Sequence, residues 1–152
     1  MKYFSILILT LLVLACNDSA QKNDETQLQS THVKTTECIN SILEKDSRLG
    51  EIRNHSSEQI SLSKTIDDYT HSVKSLDFNN CPDEFTTAFH NHLKAWQELK
   101  KVSDKYPELR GELHEIFAEL EKTEDSSEFK LLQTKISDTW KVVKETANLN
   151  IS

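Results

Sequence analysis

The sequence predicts an all-α protein, an antiparallel up-and-down bundle of four to five helices. Three observations carry that prediction. The 152 residues include only two glycines and two prolines, too few to punctuate a sheet of short strands. Apolar residues recur at spacings of three, four and seven over long stretches, the period of a helix with one buried face. The stretches between are short, and short connections make sequential helices antiparallel neighbours.

From about residue 33 the pattern is helical. Cys38, Ile39, Ile42, Leu43, Leu49 and Ile52 form a stripe that Lys45 and Asp46 interrupt, and Asn54-His55-Ser56-Ser57 ends it. Ser56 with Gln59 reads as a capping box for a second helix over about 57–76. That helix carries Leu62, Ile66, Tyr69, Val73 and Leu76 on one face, with Asp67 and His71 on the other. A third begins at Pro82-Asp83-Glu84, since proline suits the first turn and acids suit the positive end of the helix dipole. It spans about 82–103 with the clearest stripe of the chain: Phe85, Ala88, Phe89, His92, Ala95, Trp96, Leu99 and Val102. Asp104-Lys105-Tyr106-Pro107 breaks it. A shorter helix follows on Leu109, Leu113, Ile116, Phe117 and Leu120, and Gly111 is expected to weaken its start. The last opens at Asp125-Ser126-Ser127-Glu128 and buries Phe129, Leu132, Ile136, Trp140, Val143 and Ala147. None is apolar all round, so each keeps a solvated face.

The first residues have a different character. Met1-Lys2 precedes Tyr3–Ala15, an apolar run broken only by Ser5 and Thr10. It has the parts of a secretory signal and is shorter than the roughly 20 residues of a membrane-spanning helix. The stretch Val13-Leu14-Ala15-Cys16, followed by polar Asn17-Asp18-Ser19, resembles the lipobox of bacterial lipoproteins. The resemblance implies cleavage before Cys16 and a diacylglycerol on its thiol, with the new amine acylated as well. It therefore implies a lipid bilayer as one partner of the chain, through acylated Cys16. Asn17 is not the Asp that resembles an inner-membrane retention signal, which implies an outer-membrane anchor facing the periplasm or the cell surface.

Three regions follow: residues 1–15 as signal peptide, 16–32 as lipidated Cys16 and a flexible tether, and 33–150 as the helical bundle. Residues 17–31 offer almost nothing to bury and read as disordered. Removing fifteen of 152 residues leaves 137, enough for one domain with its own core. The formal charge of −7 becomes −8 once Lys2 is lost. Such a chain is not drawn to phosphate backbones, so no nucleic-acid partner is expected.

With Cys16 lipidated, Cys38 and Cys81 remain, outside the cytoplasm. An even count in an oxidising compartment favours a Cys38–Cys81 disulfide over two separate buried thiols. The bundle topology also brings the start of helix one and the start of helix three to the same end.

Candidates for chemistry are few. His92 lies between Phe89 and Trp96 on the apolar face of helix three, where desolvation lowers an imidazole pKa. It is either a ligand-binding or proton-handling group or, as the more ordinary reading, a core histidine bonded to a carbonyl or a tyrosine hydroxyl. Tyr69 and Trp96 are the companions expected if His92 marks a ligand site, and Trp96 and Trp140 read otherwise as core. No paired Glu-x-x-His motifs, haem-attachment motif, nucleophile elbow or phosphate loop occurs. No catalytic residue, metal ligand or cofactor is therefore expected. The expected function is a non-enzymatic helical interaction module anchored in the cell envelope, its partner another envelope protein. The alternative is a small-ligand or metal-binding bundle centred on His92.

Overall fold

The structure, a computed structural model, describes residues 18–151, with side chains from residue 29 onward. The signal segment and Cys16 lie outside the described residues. Six helices follow one another: α1 (Asp18–Ser56), α2 (Leu62–Lys74), α3 (Asp83–Glu98), the single turn α4 (Lys100–Ser103), α5 (Leu113–Leu120) and α6 (Ser126–Ile151). Five of them make the four arms of the up-and-down bundle: α1, α2, α3 together with α4, and α6.

Cross-helix pairs fix the directions. Between α1 and α2, Asp46 meets Tyr69 and Cys38 is bonded to Cys81 just beyond α2. Between α2 and α3–α4, Gln97 meets Thr70, Lys100 meets Asp67 and Ser103 meets Ser63. Between α3 and α6, His92 meets Thr139 and Glu98 meets Lys135. In each set the numbers rise on one helix as they fall on the other, so every neighbour is antiparallel. The most extensive packing is α3 on α6.

The core follows the predicted stripes. Phe85, Phe89, Leu93, Leu99 and Val102 are fully buried along α3–α4, facing Phe129, Leu132, Val143 and Ala147 of α6 and Ile66 and Val73 of α2. Pro82, in extended conformation, starts α3, with Asp83 and Glu84 in its first turn. α3 and α4 are nearly continuous, interrupted only at Leu99, so the predicted helix over 82–103 is present almost whole.

Several boundaries differ from expectation. α1 begins at Asp18, so backbone that composition reads as a flexible tether is helical. The reason is local: no glycine or proline occurs from Asp18 to Leu49, and Ala20, Gln21, Lys22, Glu25 and Gln27 are favourable helix residues. Low hydrophobicity removes a reason to pack without removing a reason to coil. On α1 the inward seam is Ile39, Ile42, Asp46, Leu49 and Arg53, whereas Ile52 is 61% exposed. The interrupting Asp46 thus belongs to the seam. Ser56 and Gln59 do not open α2: Ser56 donates its hydroxyl to Ile52 O at 2.7 Å, and Ser61 caps α2 by accepting from Lys64 N at 3.3 Å. α5 starts at Leu113 with a capping box between Glu112 and Glu115. Gly111, at φ +142°, shapes the entry to that box rather than weakening the helix.

Cys38 and Cys81 form a disulfide, Cα–Cα 5.3 Å, joining the middle of α1 to the approach to α3. Thr31, Lys34 and Thr35 of α1 lie level with Asn79–Pro82 and with Asn150 near the end of α6. The turns of α1 before Thr31 therefore run on beyond this end of the bundle. Among the described residues, no helix is long and apolar enough to cross a membrane.

Candidate functional site

Away from the disulfide, α5 lies against α1, and a gap opens between α1, α5 and α6. The gap is a cleft of about 610 Å³, within the usual range of small-molecule sites. Its floor is Tyr69 from α2 and His92 and Trp96 from α3. Its walls are Asp46, Gly50 and Arg53 from α1, Leu113 and Phe117 from α5, and Ile136 and Trp140 from α6. The three residues expected as companions at a ligand site are therefore neighbours: Tyr69 packs edge-on against Trp96 at 5.8 Å, and Trp96 is hydrogen-bonded to His92.

His92 is fully engaged. The Trp96 indole N–H donates to His92 Nε2 at 3.1 Å, which leaves the ring proton on Nδ1. Nδ1 lies 3.1 Å from Thr139 Oγ1, whose own hydroxyl donates to Lys135 O at 2.8 Å. Burial, with the nearby Arg53 charge adding to it, lowers the His92 pKa to about 4. A neutral imidazole with both nitrogens bonded is a structural part of the floor. Its partners are a threonine hydroxyl, an indole and the Ile136 backbone carbonyl, so the ordinary reading of a core histidine bonded to a carbonyl fits its surroundings.

Arg53 is the unexpected member. Its guanidinium carbon lies 3.9 Å from the Trp96 ring centroid and 4.5 Å from that of Tyr69. Cation–π contact of this kind strengthens as water is excluded. One guanidinium nitrogen donates to Asn54 Oδ1 at 3.2 Å, while Nε–H is buried with no hydrogen-bond acceptor among the described residues. Burial lowers the Arg53 pKa, and the charges of Tyr69 and Asp46 oppose that fall; an arginine nonetheless stays protonated.

Asp46, 8% exposed, accepts the Tyr69 hydroxyl proton donation at 2.7 Å. Burial raises the Asp46 carboxyl pKa, against the lowering effects of Tyr69 and Arg53. Burial also raises the Tyr69 phenol, with the Asp46 charge acting in the same sense. Wall and floor together therefore hold an acid, a phenol and a guanidinium side by side, framed by aromatic rings.

Asp46 and Arg53 are absent from the residues that sequence reasoning singled out. Their signal was present: they fall seven apart, in register with Ile39 and Ile42, so two charges sit on an otherwise apolar seam. Trp140, read as core, is half-buried and faces His92 at 5.1 Å across the cleft. Compared with known proteins, the chain matches no family model, no curated protein and no solved structure.

Proposed function

We propose that this chain is a lipid-anchored envelope protein whose helical domain is a non-enzymatic binding module. Its ligand is a flat, mainly apolar organic molecule with one hydrogen-bond-accepting group, seated in the cleft between α1, α5 and α6. The anchor rests on the lipobox-like Val13–Cys16 stretch. The observation that carries the binding reading is Arg53: a guanidinium lying over the Tyr69 and Trp96 rings in the wall of a 610 Å³ cleft. The Arg53 guanidinium is half-buried, Asp46 acts on it only at longer range, and its buried Nε–H has no acceptor among the described residues, so an acceptor on a ligand offsets a real desolvation cost. The surrounding rings supply flat apolar area for the remainder of the molecule. His92 and Tyr69, held neutral and hydrogen-bonded, suit recognition better than proton transfer.

Both tryptophans of the chain, Trp96 and Trp140, line this cleft. Intrinsic fluorescence is therefore a direct reporter. Titration with a panel of aromatic and alicyclic carboxylates and ketones is expected to quench it and to raise the melting temperature for at least one member. Arg53→Met is expected to abolish both effects. A panel that leaves fluorescence and melting unchanged would overturn the reading.

A second reading, docking to another envelope protein, is favoured by the outer face of α6. Leu131, Val142 and Leu149 are 70%, 47% and 81% exposed, and their spacings of eleven and seven put them on one side of the helix. Photo-crosslinking from position 149 in cells tests it: one abundant adduct, lost on Val142→Glu, is the expected result.

A further inference from the structure

A cluster of imidazoles and carboxylates stands outside the cleft, where the end of α1 meets the start of α5. His55 Nδ1 lies 3.0 Å from Glu58 Oε1 and 3.8 Å from Glu112 Oε1. The three ligand-type atoms are all within 4.8 Å of one another. His114 Nδ1 is 3.2 Å from the other oxygen of Glu112. We propose that His55, Glu58 and Glu112 form a binding site for a divalent transition metal of the Zn²⁺ class, with His114 holding the Glu112 carboxylate in position.

The first support is geometric. Imidazole nitrogen and carboxylate oxygen bind Zn²⁺ at about 2.0–2.2 Å, which sets neighbouring ligands of a tetrahedron about 3.3 Å apart. The observed separations of 3.0 and 3.8 Å bracket that spacing. A carboxylate ligand with its second oxygen hydrogen-bonded by His114 has the outer-shell support that metal sites require.

The second support is the scaffold beneath the cluster. Ser57, fully buried, donates its hydroxyl to Gly111 O at 2.9 Å, and Gly111 N–H donates back to Ser57 O at 3.3 Å. This reciprocal link joins two segments 54 residues apart. Ser57 lies between His55 and Glu58, and Gly111 adjoins Glu112. Glu58 N–H also donates to His55 O at 3.1 Å, fixing the spacing of the two ligands on the same segment. The backbone that carries all three is thus tied together from below, so a cation meets a preformed set. The carboxylates of Glu58 and Glu112 balance a divalent charge. The site adjoins the cleft, sharing Asn54, Leu113 and Phe117 with it, but its occupancy does not depend on the ligand reading.

The test is a calorimetric titration of ZnCl₂ into the full-length chain, purified without a histidine tag and carrying Cys16→Ser so that no free thiol competes. The expected result is one-to-one binding with a dissociation constant of about 10 μM or below. His55→Ala and Glu58→Gln are each expected to weaken it about tenfold or more, while far-UV circular dichroism stays unchanged. Absence of saturable binding below about 100 μM, or equal binding by the parent and both variants, would overturn the site.

Discussion

At residue scale the buried histidine couples stability to pH. His92 has a folded pKa near 4 against an unfolded value near 6.5. Above about pH 6.5 neither state binds the proton, and the stabilising hydrogen bonds are present in full. Between about 6.5 and 4 the unfolded chain takes up a proton that the folded chain refuses, so stability falls with pH, by up to about 3 kcal/mol. Asp46, with its pKa raised, contributes the opposite slope at the lower end of that range. The His92 ring resonances in an NMR titration should therefore move with a midpoint near pH 4. His92→Gln should flatten the pH dependence of the melting temperature between 6.5 and 4.

The two glycines separate in the same way, by what surrounds each. A methyl group at Gly50 meets nothing closer than Arg53 at 3.6 Å, an ordinary contact in a helix interior. Gly50→Ala should raise stability by about 1 kcal/mol. At Gly111 the φ of +142° is strained for any side chain, and a Cβ would lie 2.7 Å from Glu115 Oε2, the oxygen that accepts from Glu112 N. Gly111→Ala should cost about 1–3 kcal/mol. Chemical denaturation of both variants checks the two signs together.

At element scale the disulfide is the one covalent tie between helices among the described residues. It closes a loop whose ends are 43 positions apart, for which the chain-entropy account gives about 4 kcal/mol. Cys38→Ser with Cys81→Ser should lower the unfolding free energy by about that amount or less. The helical circular dichroism should persist, because Ile39, Phe85 and Phe89 remain buried around the gap. Loss of helical signal at room temperature would show that the bond specifies the fold rather than tightening it.

Elements were legible where the apolar period was unbroken. α3 and α6, with residues such as Phe89 and Ile136 at regular three- and four-residue steps, follow directly from pattern, and the Cys38–Cys81 pairing follows from topology and count. The cleft was half legible. His92, Tyr69 and Trp96 stand out on their own helices, but their value depends on Arg53, which looks like the solvated end of a helix until α2 and α3 are packed beside it. The cluster at His55 was not legible at all, because Glu112 reaches it only through the Ser57–Gly111 link. Contacts between distant segments leave no local period.

At the scale of the whole molecule, the first side chains of α1 that the structure describes stand clear of the core. Gln29 to Lys34 are exposed, while the buried seam begins at Ile39. Deleting residues 18–30 should remove helical ellipticity while shifting the melting temperature by no more than about 2 °C, as expected of a stretch whose last residues, Gln29 and Ser30, are exposed. A larger fall would mean that the extension packs on the bundle.

That extension also sets where the cleft works. A helix rises about 1.5 Å per residue, so the level of Gly50 stands about 48 Å along α1 from Asp18. A coil of the same composition would let the domain wander down to its own anchor. A helix instead fixes the distance between its start and the cleft. On the proposed anchoring through Cys16, such a domain would sample molecules in the aqueous layer of the envelope rather than lipids of the leaflet that holds it.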